Sequence, residues 1–273
     1  MNKKNLVDIF DKDATVLIQK KLWLFDMDGT IYNENTLFEG ALDLLNRVVK
    51  NGGRYVFITN NSSKSLNDYI RKVNQLGIDA NENNFFTSVQ ATALLLKDKF
   101  PNTKVYCQGT ESMLKELIDS GLDVVSNVQE GIGVVVVGFD TELTSSKIQN
   151  TCLLLQKDIP FFATNCDLRC PVSFGYIPDC GSICQMITNA TERKPIFIGK
   201  PEPTMAEYAM LKFGFTKEET VVIGDRLYTD IAIGNKAGIT SVCVLTGEAR
   251  LNDIANSDIK PSFVFNSVKD ILI

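Results

Sequence analysis

The stretch Leu22-Trp23-Leu24-Phe25-Asp26-Met27-Asp28-Gly29-Thr30 decides how the rest of the chain is read. Four apolar residues in a row predict a short strand covered on both faces, as in a parallel sheet. Such a strand has no structural reason to end in two acids. Carboxylates at positions i and i+2 of an extended segment project to the same side, and at that spacing they repel. They need a cation, a shared proton, or both. The glycine that follows permits a tight turn and the close approach of a ligand. This is the layout of a metal-assisted nucleophile.

Outward from this stretch, apolar runs alternate with helical patterns, which reads as βαβ units around a parallel sheet, an α/β fold. The expected strands are Leu22–Phe25, Arg54–Thr59, Val105–Cys107, Gly133–Gly138, Pro160–Thr164, Ile196–Ile198, Thr220–Ile223 and Ser241–Leu245. Between them, Leu66, Tyr69, Ile70, Val73 and Leu76 follow helical spacing, with Gly77 placed to end that helix. Thr87-x-x-Gln90 predicts a capping box at the next helix start, and Thr216-x-x-Glu219 has the same form. Pro203 suits the first turn of a helix that runs to Phe213 and ends at Gly214. No repeat or low-complexity linker marks a domain boundary.

Composition excludes several functions. The 273 residues contain no histidine, so serine–histidine triads, cysteine–histidine proteases and histidine-ligated zinc are ruled out. Proton transfer must fall to carboxylates, Lys, Tyr or Cys. A net charge of −5 argues against nucleic acid as a partner. No run approaches the roughly 18 apolar residues of a membrane span. Asp8, Asp11 and Asp13 interrupt any signal-peptide core, so residues 1–20 are not expected to be one. Seven cysteines in a chain with a full apolar core point to reduced thiols and a cytoplasmic location.

Three further segments share the position of Asp26 and Asp28, each at the carboxyl end of an expected strand, where open α/β sheets bind ligands. Thr59-Asn60-Asn61-Ser62-Ser63 offers a hydroxyl and amides suited to phosphate. Gly199-Lys200-Pro201 offers a fixed positive charge. Gly224-Asp225-Arg226-Leu227-Tyr228-Thr229-Asp230 adds two acids. Singly, each has a blander reading as a cap, a solvated turn or a loop. A calcium loop with Gly29 at its sixth position would need an acid where Leu24 stands, and the phosphate-loop signature of nucleotide hydrolases is missing. The four segments together, in this order at four strand ends, favour chemistry.

With these residues the sequence resembles the haloacid dehalogenase-like hydrolase superfamily. It is similar to the type IIA-capped branch of NagD-like and 4-nitrophenylphosphatase-like enzymes. The matching segments are DMDGT at 26–30, ITNNS at 58–62, Lys200 of GKP and GDRLYTD at 224–230, with ATN-x-D at 163–167 and Pro178-x-Cys-Gly181. The resemblance covers about Lys20 to Gly247, and residues 1–20 lie ahead of it, where an extra helix fits.

The resemblance implies a Rossmann-like core of residues 1–81 and 181–273, with residues 82–180 inserted as a C2-type α/β cap. It implies a Mg²⁺-dependent phosphatase acting through an aspartyl-phosphate. Asp26 would attack phosphorus, and Asp28 would protonate the leaving alcohol and later deprotonate water. Mg²⁺ would be held by Asp26, the backbone carbonyl of Asp28, and Asp225. Thr59, the amide of Asn60 and Lys200 would bind phosphoryl oxygens. Asp230 would support the metal shell or Lys200. Asp167, Arg169 and Cys170 fall in the cap segment that meets the leaving group in relatives, and an arginine there favours a second anionic group on the substrate.

The implied substrate is a small phosphorylated metabolite such as a sugar phosphate or nucleotide. A homodimer is compatible with a cap of this type. A phosphotransferase or mutase on the same scaffold is the second reading, and a phosphate-binding protein without catalysis the third. Cys166, Cys170, Cys180 and Cys184 also invite a zinc reading, although C-x3-C is wider than the usual knuckle.

Overall fold

The computed structural model describes residues 6–63 and 66–271. In chain order the strands are β1 (Leu22–Phe25), β2 (Tyr32–Asn33), β3 (Thr36–Leu37), β4 (Arg54–Thr59), β5 (Phe85–Thr87), β6 (Lys104–Gln108), β7 (Val124–Val125) and β8 (Ile132–Val137). They continue as β9 (Phe161–Ala163), β10 (Arg169–Val172), β11 (Gly175–Pro178), β12 (Ile196–Phe197), β13 (Thr220–Gly224), β14 (Thr240–Val244) and β15 (Phe263–Phe265). The helices are α1 (Ala41–Lys50), α2 (Leu66–Gln75), α3 (Ser88–Lys99), α4 (Glu111–Asp119), α5 (Ser145–Leu154), α6 (Cys180–Thr191), α7 (Thr204–Phe213), α8 (Ala232–Ala237) and α9 (Leu251–Asn256).

The chain divides into two compact units. The first takes the chain up to Thr59, Tyr69–Phe86 and everything from Lys200 onward. Its six-stranded sheet has the order β15-β14-β13-β1-β4-β5. β1 lies parallel to β13 on one side and β4 on the other, with Phe25 opposite Ile223 and Phe57. All four β1 residues are buried, as a strand flanked and covered on both faces requires. The chain builds outward from β1 through β4 and β5, then returns to add β13, β14 and β15 on the opposite side. The order therefore reverses between β1 and β13, which is where such sheets open a crevice at their carboxyl edge.

The residues ahead of β1 form an arm along β15. Ile9 N–H donates to the Val264 carbonyl at 3.0 Å, and Asp8 Oδ2 accepts from Val264 N–H at 3.1 Å. Where an extra helix was expected, a single 3-10 turn covers Thr15–Gln19. The first five residues lie outside the described ones.

The second unit, Asn60–Asp68 and Thr87–Gly199, has its own five-stranded sheet in the order β12-β9-β8-β6-β7. Every pairing in it is parallel. Its helices start where short polar side chains accept the first free amides. Thr87 accepts from Gln90, Thr110 from Met113 and Thr144 from Lys147. Strands β10 and β11 form a separate antiparallel hairpin.

Two expectations from sequence are revised. The strand at 196–198 was expected to carry Lys200 to the edge of the main sheet, but β12 pairs with β9 in the second sheet. Thr216 and Glu219 do exchange reciprocal hydrogen bonds, yet they close a turn leading into β13 rather than a helix. The second unit runs on to Gly199, past the cap boundary expected at 180. The reason is α6, whose Cys180, Ile183, Cys184 and Ile187 pack with Tyr106, Val135, Val137 and Phe161 of the second unit.

Candidate active site

Asp26 is the first residue beyond β1, and its N–H donates to the Ile223 carbonyl of β13 at 2.9 Å. The sheet ladder therefore continues up to this residue and fixes its backbone. Asp225 follows β13 on the facing strand. The turn at Gly29 has φ +85°, and a Cβ there would stand 2.6 Å from Asp225 Oδ2. Glycine satisfies both the backbone and the space.

Asp230 reaches the same edge through the π-helical turn Leu227–Ile231, a wider turn that recurs at functional sites. Gly224 lets it pack close, since a Cβ at 224 would lie 2.2 Å from Asp230 Cβ. Lys200 ties these acids together. Its Nζ donates to Asp26 Oδ1 at 2.6 Å and to Asp230 Oδ1 at 2.7 Å, with only 5% of its side chain exposed. Asp230 Oδ2 accepts from the Arg226 N–H at 3.1 Å, so both of its oxygens are engaged.

Burial, helped by Asp230 and Asp225 and opposed by Lys200, pushes the Asp26 carboxyl up to about 7. Burial, with Asp230, also raises Asp225. For Lys200 burial favours the neutral amine, but Asp230 and Asp26 outweigh it and raise its pKa. Three acids thus surround one ammonium and remain short of positive charge. Asp26, Asp225 and Asp230 each bring an oxygen within 4.8 Å of the others, and no other such group of acids or cysteines occurs among the described residues. An all-oxygen, acidic donor set of this kind fits a hard divalent cation such as Mg²⁺. Asp230 gives both oxygens to bonds from Lys200 and the Arg226 N–H at 2.7 and 3.1 Å, whereas Asp225 Oδ1 meets only the Thr30 hydroxyl at 3.4 Å, so the side chains best placed to hold the ion are Asp26 and Asp225.

The Asp28 side chain is exposed and stands outside that group of three. Its backbone belongs to the turn closed by Gly29 N–H on the Tyr32 carbonyl at 2.8 Å. Thr59 ends β4, two residues past the Phe25–Phe57 register pair, and so reaches the same carboxyl edge as Met27. Asn60 follows it and is counted in the second unit. There its Nδ2 donates to Asp167 Oδ2 at 3.0 Å, and its carbonyl accepts from Ser88 Oγ and Asn165 Nδ2, each at 2.9 Å. The 163–167 stretch is thus a clamp on Asn60.

Arg169 and Cys170 lie apart from that clamp, on β10. The Arg169 guanidinium stacks 4.4 Å from the Tyr176 ring across the hairpin. Among the described residues the four cysteines weighed for zinc form no metal group, and none of the seven cysteines is in a disulfide.

Sequence reasoning passed over Thr246-Gly247-Glu248. Thr246 Oγ1 donates to the Gly29 carbonyl at 2.6 Å and the Glu248 N–H donates to Asp225 Oδ2 at 2.7 Å. The rule that found the other four segments would have found this one, because it directly follows the expected strand Ser241–Leu245.

The chain is similar in sequence and fold to known proteins. Residues 23–123 match the family described as haloacid dehalogenase-like hydrolase, and residues 197–271 match one described as HAD-hydrolase-like. An acid sugar phosphatase of Staphylococcus aureus is 31% identical over 254 residues, 93% of this chain and 97% of its own length. A 4-nitrophenylphosphatase structure from Thermotoga maritima superposes with a TM-score of 0.87 at 38% identity, covering 94% of this chain and 97% of its own. A glycerol phosphate phosphatase from Mycobacterium tuberculosis, solved in complex with magnesium, gives a TM-score of 0.86 at 29% identity over 93% of this chain and 77% of its own.

Proposed function

The chain belongs to the haloacid dehalogenase-like hydrolase family, and on that premise we propose that it is a Mg²⁺-dependent phosphatase of small phosphomonoesters. The observation that carries this reading is the contact of Asp26 with Lys200 beside Asp225 at the sheet's reversal point. A carboxylate anchored on one oxygen by a buried ammonium keeps the other free and fixed in direction, which suits a nucleophile.

In this reading Asp26 attacks phosphorus and forms an aspartyl-phosphate. Asp28, exposed at the turn, delivers a proton to the departing alcohol and takes one from the water that cleaves the intermediate. Lys200 and the Thr59 hydroxyl would bind the phosphoryl oxygens over which charge spreads, a role proposed also for the amide of Asn60, next in the chain. Asp230 keeps Lys200 charged and in place. Asp26 and Asp225, with the Asp28 carbonyl, would hold Mg²⁺, which supplies charge neutralisation during transfer.

The 82–180 segment is the proposed substrate-selecting cap. Asp167 acts there through Asn60, while Arg169 and Cys170 discriminate among substrates, phosphorylated sugars foremost. The named relatives are an acid sugar phosphatase, a 4-nitrophenylphosphatase and a glycerol phosphate phosphatase, which supports a small phosphomonoester here. Seven cysteines without a disulfide among them support a cytoplasmic setting. No helix among the described residues is long and apolar enough to cross a membrane.

The test is a panel of phosphomonoesters assayed with Mg²⁺ and with EDTA, on wild type and on Asp26→Asn. The expected result is Mg²⁺-dependent phosphate release that Asp26→Asn abolishes. Full activity of Asp26→Asn would remove the nucleophile assignment, and phosphate handed to an added sugar instead of water would favour a phosphotransferase.

A further inference from the structure

The segment from Thr246 to Ala249 leaves β14 and meets Asp225 at three points and the Gly29 turn at a fourth. Thr246 Oγ1 donates to the Gly29 carbonyl at 2.6 Å. The Glu248 N–H donates to Asp225 Oδ2 at 2.7 Å, and the Ala249 N–H to the Asp225 backbone carbonyl at 2.9 Å. Between them Gly247 comes so close that a Cβ would lie 2.0 Å from Asp225 Oδ2. The Glu248 carboxylate in turn meets Arg226 Nε at 3.0 Å and the Tyr228 hydroxyl at 3.2 Å.

We propose that Thr246, Gly247 and the Glu248 amide form a positioning loop that fixes the cation site from two sides. One side is the carboxylate of Asp225, whose orientation the short amide bond sets while Gly247 leaves it no room to turn. The other is the Asp28–Gly29 turn, whose peptide the Thr246 hydroxyl pins one residue beyond the carbonyl assigned to the ion. The loop springs from β14, which pairs with β13 so that Cys243 lies opposite Gly224, the residue before Asp225. A rigid two-strand base therefore transmits its geometry. Partners that orient a metal ligand are worth about 10–100-fold in metal affinity. The inference rests on the reading of Asp26 and Asp225 as the cation holders.

The test titrates Mg²⁺ calorimetrically into wild type, Asp225→Asn, Thr246→Val and Thr246→Ser, with melting temperatures recorded without metal. Valine matches threonine in shape and removes only the donor. The expected result is about tenfold weaker Mg²⁺ binding by Thr246→Val, near wild-type binding by Thr246→Ser, and unchanged metal-free melting in both. Gly247→Ala, which drives a methyl against Asp225, is expected to weaken Mg²⁺ at least as much. If Thr246→Val binds Mg²⁺ like wild type while Asp225→Asn does not, the positioning role is overturned and the cation reading stands. If Thr246→Val and Thr246→Ser lose affinity alike, the hydroxyl is not the determinant and the proposal also fails. If wild type and Asp225→Asn are equally indifferent to Mg²⁺, the cation reading itself is lost and the loop's role with it.

Discussion

Lys200 and Asp26 meet at 2.6 Å although 174 residues separate them, and the same ammonium holds Asp230 Oδ1 at 2.7 Å. One buried cation therefore sets the direction of the attacking carboxylate and neutralises part of the charge beside it. Removing it would leave the half-buried Asp26 and the buried Asp230 facing each other.

Lys200→Met should accordingly cost both activity and stability. Losing a charged donor preorganised at the transferring group lowers kcat by about 10²–10³-fold. Breaking a buried ion pair from one side costs about 3–5 kcal/mol. Because Lys200 opposes the upward shift of Asp26, its loss should also move the acid limb of the pH profile to higher pH. Rate measurements from pH 5 to 9, with denaturation curves at pH 7, check all three. A variant with an unchanged acid limb would show that Lys200 does not govern the charge of Asp26.

Cation uptake should release a proton. Without metal the Asp26 carboxyl is held up to about 7, chiefly by burial, and a bound divalent ion stabilises the carboxylate. Near pH 7 about half a proton should leave per Mg²⁺ bound, close to one at pH 6 and almost none at pH 8.5. Calorimetry in buffers of differing ionisation enthalpy reads this number directly. Asp26→Asn should remove the release. A wild-type value of zero at pH 6 would mean that Asp26 is already ionised without the ion.

Much of this was legible in the chain because the signals are local. An apolar tetrapeptide running into Asp26 and Asp28 declares a strand end with chemistry on it, and β1 lies where that pattern placed it. Lys200 was legible for a different reason than its surroundings suggested. Ile196–Ile198 has the composition of a buried strand, but composition does not say which sheet takes it, and pairing with β9 was decided by tertiary contact. The Arg169–Pro178 hairpin was missed because Pro171 and Pro178 break the strand pattern, which an exposed two-stranded ribbon tolerates. β15, only three residues long, is too short for alternation to register.

Asp179 should penalise the second unit as pH rises. It caps α6 by accepting from the Cys180 N–H, yet burial first, and Asp167 next, hold its carboxyl up to about 6. A folded pKa above the ordinary 3.8 means the native state binds this proton more tightly than the unfolded chain. The stability from that proton is complete below about 4 and is lost as pH rises through about 6. Asp179→Asn keeps a capping oxygen without the charge. It should therefore melt higher than wild type at pH 7, by up to about 3 kcal/mol less the favourable helix-terminus interaction of the charge, and converge with wild type at pH 4. Melting curves of the pair from pH 4 to 8 test it. A constant difference across that range would mean Asp179 does not titrate there.

Asp8 should matter to the fold and not to catalysis. β15 is an edge strand of the six-stranded sheet, and an unpaired edge invites association with other strands. The N-terminal arm closes it: Asp8 Oδ2 accepts from Val264 N–H, while Oδ1 accepts from Phe10 and Lys12 N–H at 2.9 and 3.0 Å and holds the arm's turn in shape. Lys12 Nζ adds a bond to the Ser262 carbonyl at 2.8 Å. Replacing Asp8 by Ala removes three acceptor contacts from a residue only 6% exposed, leaving the Val264 amide without its partner. The expected cost is about 1–3 kcal/mol. kcat at 25 °C should stay at the wild-type value, because none of these hydrogen bonds involves a residue of the acidic cluster. Asp8→Asn, with one acceptor oxygen left, should fall between the two. Light scattering during slow heating should show Asp8→Ala aggregating at lower temperature than wild type. Equal melting and aggregation temperatures for Asp8→Ala and wild type would show that the arm does not protect the edge.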